Sequence, residues 1–201
     1  MELEFLNWIN QNLHGSNFIN YLVKFITILG DAGICWIVLG VILLFFKKTR
    51  KGGVFLLVSL LLTLLINNLT LKPLFNRERP FVKNPKILNF LKSINLKAPS
   101  GASFPSGHTF AAFCSATVLT LCFKKVGALS FIPATLISLS RIFLCVHYPT
   151  DVLAGIILGS ALGFGSYFLT KWLYPKIENK ILNIKNNRKK QKNTHENLNN
   201  I

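Results

Sequence analysis

Three groups of residues in this chain have the types and spacing needed to move a phosphoryl group. The first is Lys72 followed by Arg79 and Pro80. The second is Pro105-Ser106-Gly107-His108, and the third is Ser140-Arg141 with His147 and Asp151 beyond it. Phosphate esters are among the slowest bonds to break in water, and enzymes accelerate their hydrolysis by up to about 10^21. Charge on the equatorial oxygens has to be met by cations and N–H donors already in place. Lys72, Arg79 and Arg141 supply the cations, and the fork of an arginine matches phosphate geometry in a bidentate way. Ser106, Gly107 and His108 open a helix just after a proline, where unpaired N–H groups and the positive dipole end favour an anion. Gly107 lets the backbone approach that anion closely. His147 and Asp151 stand four residues apart, so the carboxylate can hold one ring nitrogen and leave the other to attack phosphorus. His108 is left to protonate the departing oxygen and then to activate water. Pro80 and Ser140 accompany these residues in supporting positions.

Written as K-x6-R-P, P-S-G-H and S-R-x5-H-x3-D, the groups resemble, without a substitution, the three motifs of the type 2 phosphatidic acid phosphatase superfamily. The match runs over positions 72–151. That family includes lipid phosphatases, undecaprenyl-diphosphatases and the soluble vanadium haloperoxidases. The resemblance implies a phosphohistidine on His147, with Asp151 as its partner and His108 as acid. Lys72, Arg79, Ser106, Gly107 and Arg141 would form the phosphate pocket. It also implies a reaction with no metal and no cofactor, in keeping with the lack of a compact carboxylate cluster in the sequence.

The elements that must hold these groups together are membrane helices. Of 201 residues 51% are hydrophobic, in blocks nearly free of charge. A span needs about 20 mainly apolar residues, and 54–71, 106–123, 126–144 and 152–169 qualify. A fifth, 33–46, is shorter and can begin near residue 28 with Asp31 at the interface. The stretch 5–29 mixes Trp8, Phe18, Leu22 and Phe25 with Asn7, Asn10, Asn12 and Asn17, and reads as an amphipathic helix lying in the interface. The expected fold is therefore all-α: a transmembrane bundle of five spans, six in the alternative, behind an N-terminal interfacial helix. Residues 1–29 are the interfacial segment, 30–175 the phosphatase domain, and 176–201 a basic, polar, flexible tail. A start with Glu2 and Glu4 and no early cation argues against a secretory signal peptide.

The net charge of +16 does not point to nucleic acid, because the cations cluster between apolar blocks rather than along one stripe. Lys47, Lys48, Arg50 and Lys51, then Lys124 and Lys125, then the tail all fall on one side of five alternating spans. Positive charge stays inside, which makes that side cytoplasmic and the three motif groups extracytoplasmic. Arg141 follows an apolar span, where a charge costs at least about 2.5 kcal/mol and calls for a partner or a function.

Other residues read as structural. His14 and His195 lie in polar, solvated segments, and Arg77 and Glu78 pair with each other. Asn67 and Asn68 hydrogen-bond between helices, and Gly155, Gly159 and Gly163 permit close packing inside the bundle. Cys114 and Cys122 are small buried side chains, with a Cys35–Cys145 disulfide only as the lesser alternative. The segment 82–104, with Lys83, Lys86, Lys92 and Lys97, either contacts a second phosphate or is a solvated loop. The expected activity is hydrolysis of a membrane lipid phosphate, undecaprenyl diphosphate before phosphatidic acid or phosphatidylglycerophosphate, with the oligomeric state open. Five apolar spans argue against the haloperoxidase branch. A lipid binder or transporter would have no need of His108, His147 and Asp151 together.

Overall fold

The computed structural model describes the backbone of residues 1–199 and the side chains as far as Lys180, Ala32 excepted. Among the described residues every regular element is helical: α1 (Glu2–Asn12), α2 (Asn17–Leu29), α3 (Ile34–Phe45), α4 (Arg50–Thr63), α5 (Lys72–Phe75), α6 (Pro80–Lys83), α7 (Pro85–Ser93), α8 (Gly107–Ala128), α9 (Phe131–Phe143) and α10 (Pro149–Asn199). Between α4 and α5 the chain winds as a π-helix, Leu64–Leu71. Arg50–Lys83, Gly107–Ala128 and Pro149–Lys180 are long and apolar enough to cross a membrane, and α2 with α3, bent by 49°, make a fourth crossing if taken together. α9 is apolar but only 13 residues long. The chain is thus an all-α, multi-span membrane bundle. Its outward faces agree: Phe18, Phe25, Phe45, Leu69, Ile132, Ile157 and Phe164 are all more than half exposed, the reverse of a water-soluble surface.

The residues expected as one interfacial helix form two. Ser16 takes an extended conformation ahead of α2, and Gly15 precedes it at a point where a helix is weakest. The turn expected at Lys124 and Lys125 is present as a break within α8, where Lys124 has φ 55°. The last turn then folds back so tightly that a Cβ on Gly127 would lie 2.1 Å from the Leu119 carbonyl oxygen.

One apolar core fills the middle of the bundle: Trp36 from α3, Leu56 from α4, Phe113, Ala116 and Leu119 from α8, and Ile137 from α9. Two smaller clusters cap one end. Leu6 and Ile9 of α1 meet Ile87, Cys145 and Tyr148, while Leu91 and Ile94 meet Leu144 and Val146. The segment 82–104 is therefore no solvated loop, because its helix α7 seats two fully buried side chains on the link between α9 and α10. α10 approaches α8 through its glycines. A Cβ on Gly159 would meet the Phe110 carbonyl oxygen at 2.5 Å, and one on Gly163 the Cys114 carbonyl oxygen at 2.7 Å. All four cysteines are free, and the buried Cys145 thiol donates to the Leu6 carbonyl.

The chain forms two compact units, Met1–Tyr167 and a second starting at Phe168. Every motif residue lies in the first. The polar tail, expected as a flexible extension, continues α10 as helix to Asn199, and the side chain of His195 lies outside the described residues.

Candidate active site

His147 sits in the five-residue link 144–148 that α1 and α7 clamp from outside. Its ring is only 2% exposed. Nε2 lies 3.1 Å from Arg79 Nη1. A guanidinium only donates, so Nε2 must carry the lone pair and Nδ1 the proton. Nδ1 faces Asp151 Oδ2 at 3.6 Å and Ser103 Oγ at 3.4 Å. Burial pushes the His147 imidazole below the ordinary histidine range, and Arg79 and Arg141 act in the same direction against the pull of Asp151. The ring is therefore neutral at pH 7, as a nucleophile must be.

Asp151 lies fully buried in the first turn of α10. Its Oδ2 accepts from Ser103 Oγ at 2.5 Å and from the Tyr148 N–H at 2.9 Å. Its Oδ1 accepts from Arg77 Nη1 at 2.6 Å. Arg77 was expected to pair with Glu78. Instead its Nη2 bonds Glu2 Oε2 at 2.7 Å, and its guanidinium lies 4.0 Å from the centre of the Tyr148 ring. Glu2 in turn accepts from the Thr150 N–H at 3.0 Å. Arg77 is claimed by Asp151 and Glu2 across the bundle, while its neighbour Glu78 stays exposed.

In front of His147 opens a cavity of about 380 Å³ lined by Lys72, Arg79, Lys97, Gly107, His108, Arg141 and Asp31. Arg141 is 3% exposed; its Nη1 bonds Thr27 Oγ1, and its Nε has no hydrogen-bond partner among the described residues. A buried donor left bare costs about 1–3 kcal/mol, which an anion in the cavity would recover. Arg79 plays a different part. Its Nε and Nη2 hold the carbonyls of Gly101 and Ser100 at 2.9 and 3.1 Å, and its Nη1 also reaches the Val146 carbonyl. It ties the loop before α8 to the link that carries His147.

Not every expected pocket residue faces the cavity. The Ser106 N–H is taken by the Asp151 carbonyl at 3.1 Å, and its hydroxyl accepts from Thr109, so Ser106 joins α8 to α10 rather than offering a free donor. Ser140 bonds back to the Ile137 carbonyl of its own helix. Pro80 opens α6. Gly107, the first residue of α8, does line the cavity, where a Cβ would come 3.6 Å from Lys72 Nζ. Of the four lysines in 82–104, Lys97 alone is among the lining residues.

His108, Gly107 and Lys72 also border a second cavity, of about 480 Å³, which runs between α3, α4 and α8 past Ile37, Leu57, Leu60, Leu64 and Asn67. Four residues of the site have no motif signal: Asp31, whose Oδ1 lies 2.7 Å from His108 Nε2, Ser103, Arg77 and Glu2. An isolated acid at the edge of an apolar block was the one trace of Asp31 in the sequence. His14, read as solvated, is instead stacked on Phe90 at 3.5 Å with Nε2 on the Phe143 carbonyl at 2.7 Å, and it braces the start of the link that carries His147.

Comparison with known proteins adds to this geometry. A family model described as the PAP2 superfamily matches residues 52–175. Undecaprenyl-diphosphatase of Sulfolobus acidocaldarius is 33% identical over 165 residues, 81% of this chain and 75% of the relative. Phosphatidylglycerophosphatase B of Bacillus subtilis is 31% identical over 185 residues, 85% of this chain and 78% of the relative. The crystal structure of a transmembrane PAP2 type phosphatidylglycerolphosphate phosphatase from Bacillus subtilis matches with a TM-score of 0.63 at 28% identity, covering 88% of this chain and 85% of that one.

Proposed function

Because the chain belongs to the PAP2 superfamily, whose members in this branch are membrane lipid phosphatases, we propose that it hydrolyses undecaprenyl diphosphate to undecaprenyl phosphate. The observation that carries this reading is the shared border of the two cavities. Lys72, Gly107 and His108 line both the cationic cavity and the apolar one, so one molecule can place a phosphate before His147 while its chain lies among leucines. Lys97, beside the three pocket cations, offers a further charge for the second phosphate of a diphosphate.

In this reading Nε2 of His147 attacks phosphorus with its lone pair. The N–P bond forms as the P–O bond to the leaving group breaks, and the electron pair leaves on that oxygen, which takes a proton from His108. Lys72 and Arg141 meet the equatorial oxygens. Arg79 Nη1, released from Nε2 once that nitrogen is bonded to phosphorus, turns its N–H to the same phosphoryl group. Water then gives a proton to His108 and attacks phosphorus, the N–P electrons return to Nε2, and inorganic phosphate departs.

Purified protein in mixed micelles is expected to prefer the polyprenyl diphosphate over phosphatidic acid and phosphatidylglycerophosphate by at least about tenfold in kcat/KM, the discrimination of roughly 1.4 kcal/mol that one added phosphate contact supplies. Preference for phosphatidylglycerophosphate would transfer the substrate to the class named for the solved relative and leave the chemistry unchanged.

The site is placed on the extracytoplasmic face and the C-terminus in the cytoplasm, on the strength of the cation clusters at 47–51 and 124–125 and in the tail. An impermeant maleimide applied to intact cells is expected to label Lys86→Cys and not Lys125→Cys, both exposed positions, in a chain whose four native cysteines are replaced. Labelling of Lys125→Cys alone would reverse the orientation.

A further inference from the structure

His108 is placed by more than its own helix. The turn between α2 and α3 presses against one edge of its ring. Asp31 Oδ1 lies 2.7 Å from Nε2, and a Cβ added to Gly30 would fall 2.9 Å from His108 Cδ2 and 2.7 Å from Ile137 Cγ2. Glycine is thus required where the Cδ2–Nε2 edge lies against the turn, and the Nδ1 edge faces away from it. The end of α2 also holds Arg141, through Thr27 Oγ1, so one turn of chain braces two residues of the cavity. Asp31 is itself a lining residue. A carboxylate facing Lys72, Arg79 and Arg141 opposes an anionic substrate, and that cost needs a compensating task.

We infer that Asp31 is a positioning residue for the proton donor: its carboxylate holds the Nε2–H of His108 and leaves Nδ1–H to face the departing oxygen. This rests on His108 being the general acid. The charged groups facing His108 are Asp31 from the turn, Arg141 from α9 and Lys72 from α5. Among these Asp31 is the one anion, so it alone can accept a ring N–H, while the two cations are left to the phosphoryl oxygens. As the P–O bond breaks, its electron pair takes the Nδ1 proton, and the neutral ring keeps Nε2–H on Asp31. In the second half Nδ1 takes a proton from water. Asp31 stays ionised throughout, as the orienting carboxylate of a triad does. Two His–Asp pairs then divide the work, His147 with Asp151 on the nucleophile and His108 with Asp31 on the leaving group.

The test uses the full chain in detergent with two phosphate monoesters, an alkyl ester whose leaving oxygen needs a proton and a nitrophenyl ester whose oxygen does not. The reading is kcat/KM, which covers only the steps through departure of the leaving group and not hydrolysis of the shared phosphohistidine. Asp31→Asn is expected to lower it on the alkyl ester by about tenfold to a hundredfold, a part of the 10²–10⁴ that a general acid contributes. On the nitrophenyl ester it should change by less than about threefold, with Asp31→Glu restoring most of the loss. In a His108→Gln background Asp31→Asn should add nothing, since it acts through that ring. If His108→Gln slows both esters equally, the acid assignment itself fails. If His108→Gln is selective for the alkyl ester while Asp31→Asn leaves both rates unchanged, slows them equally, or adds its full effect to His108→Gln, the acid assignment stands and the role of Asp31 is overturned. Asp31 has an exposed side chain, and the nitrophenyl rate reports that each variant is folded.

Discussion

His147→Ala is expected to abolish turnover, with a loss on the order of 10^6 in kcat, the size seen when a nucleophile is removed from a site whose other parts remain. The imidazole is buried at the edge of the cavity and its Nε2 lone pair faces the Arg79 guanidinium, which only donates and cannot take over as nucleophile. Arg141 with its bare Nε and Lys72 are untouched by the change, and phosphate should still bind competitively. In the parent protein, rapid quenching of labelled substrate should trap phosphate in an acid-labile, alkali-stable N–P linkage at His147. Label recovered on another residue would overturn the assignment. The pH dependence follows from the burial that keeps this ring neutral. Its folded-state pKa lies below the value of about 6.5 for an unfolded histidine, so between the two the unfolded chain binds more protons. The neutral ring and the stability linked to it are fully present above about pH 6.5 and are lost as pH falls through the folded value. The acid limb of kcat/KM should therefore lie below pH 6.5. A limb centred above pH 7 would mean that another group controls it.

Asp151→Asn is expected to cost about 10^4 in kcat with little change in KM, the effect of replacing an orienting carboxylate by its amide. The structure gives the reason atom by atom. Oδ2 of Asp151 accepts from Ser103 and from the Tyr148 N–H, and it faces Nδ1 of His147; Oδ1 accepts from Arg77. An asparagine can keep an oxygen towards only one of these sides. With its oxygen on Arg77, its NH2 group faces three donors, and His147 responds by carrying its proton on Nε2, against Arg79. The lone pair that attacks phosphorus is then on the wrong nitrogen. With the oxygen on the other side, the NH2 group meets Arg77, which retains Glu2. Substrate binding, proposed here to rest on the cavity cations Lys72 and Arg141, should survive in both cases. A variant with kcat within tenfold of the parent would show that burial and Ser103 alone orient His147.

Some of this could be read from residue order. His147 and Asp151 are one helical step apart, and the link between them is short, so their meeting is a local matter. The cations Lys72, Arg79 and Arg141 stood out because each lies against an apolar block, where a charge is costly. The same logic missed Arg77, whose natural partner by proximity is Glu78. Only the packing that brings Asp151 and Glu2 to Arg77 reveals the partners it takes instead. It also misjudged His14 and the segment 82–104, because a few buried side chains, Ile87 and Leu91 among them, decide whether a polar stretch is solvated or packed.

The chain's order of residues by itself determined that this is a helical membrane protein with a phosphate-handling centre, since apolar block length and side-chain chemistry are properties of single segments. Tertiary structure decided how that centre is held. Glu2 reaches Arg77 and through it Asp151, while Thr27 and Asp31 hold Arg141 and His108. These partners are separated by 74 to 114 positions, and no spacing rule spans such a gap. Helix packing brings them within 3 Å, because a buried donor or carboxylate at the end of the bundle must find its complement on whichever helix is adjacent.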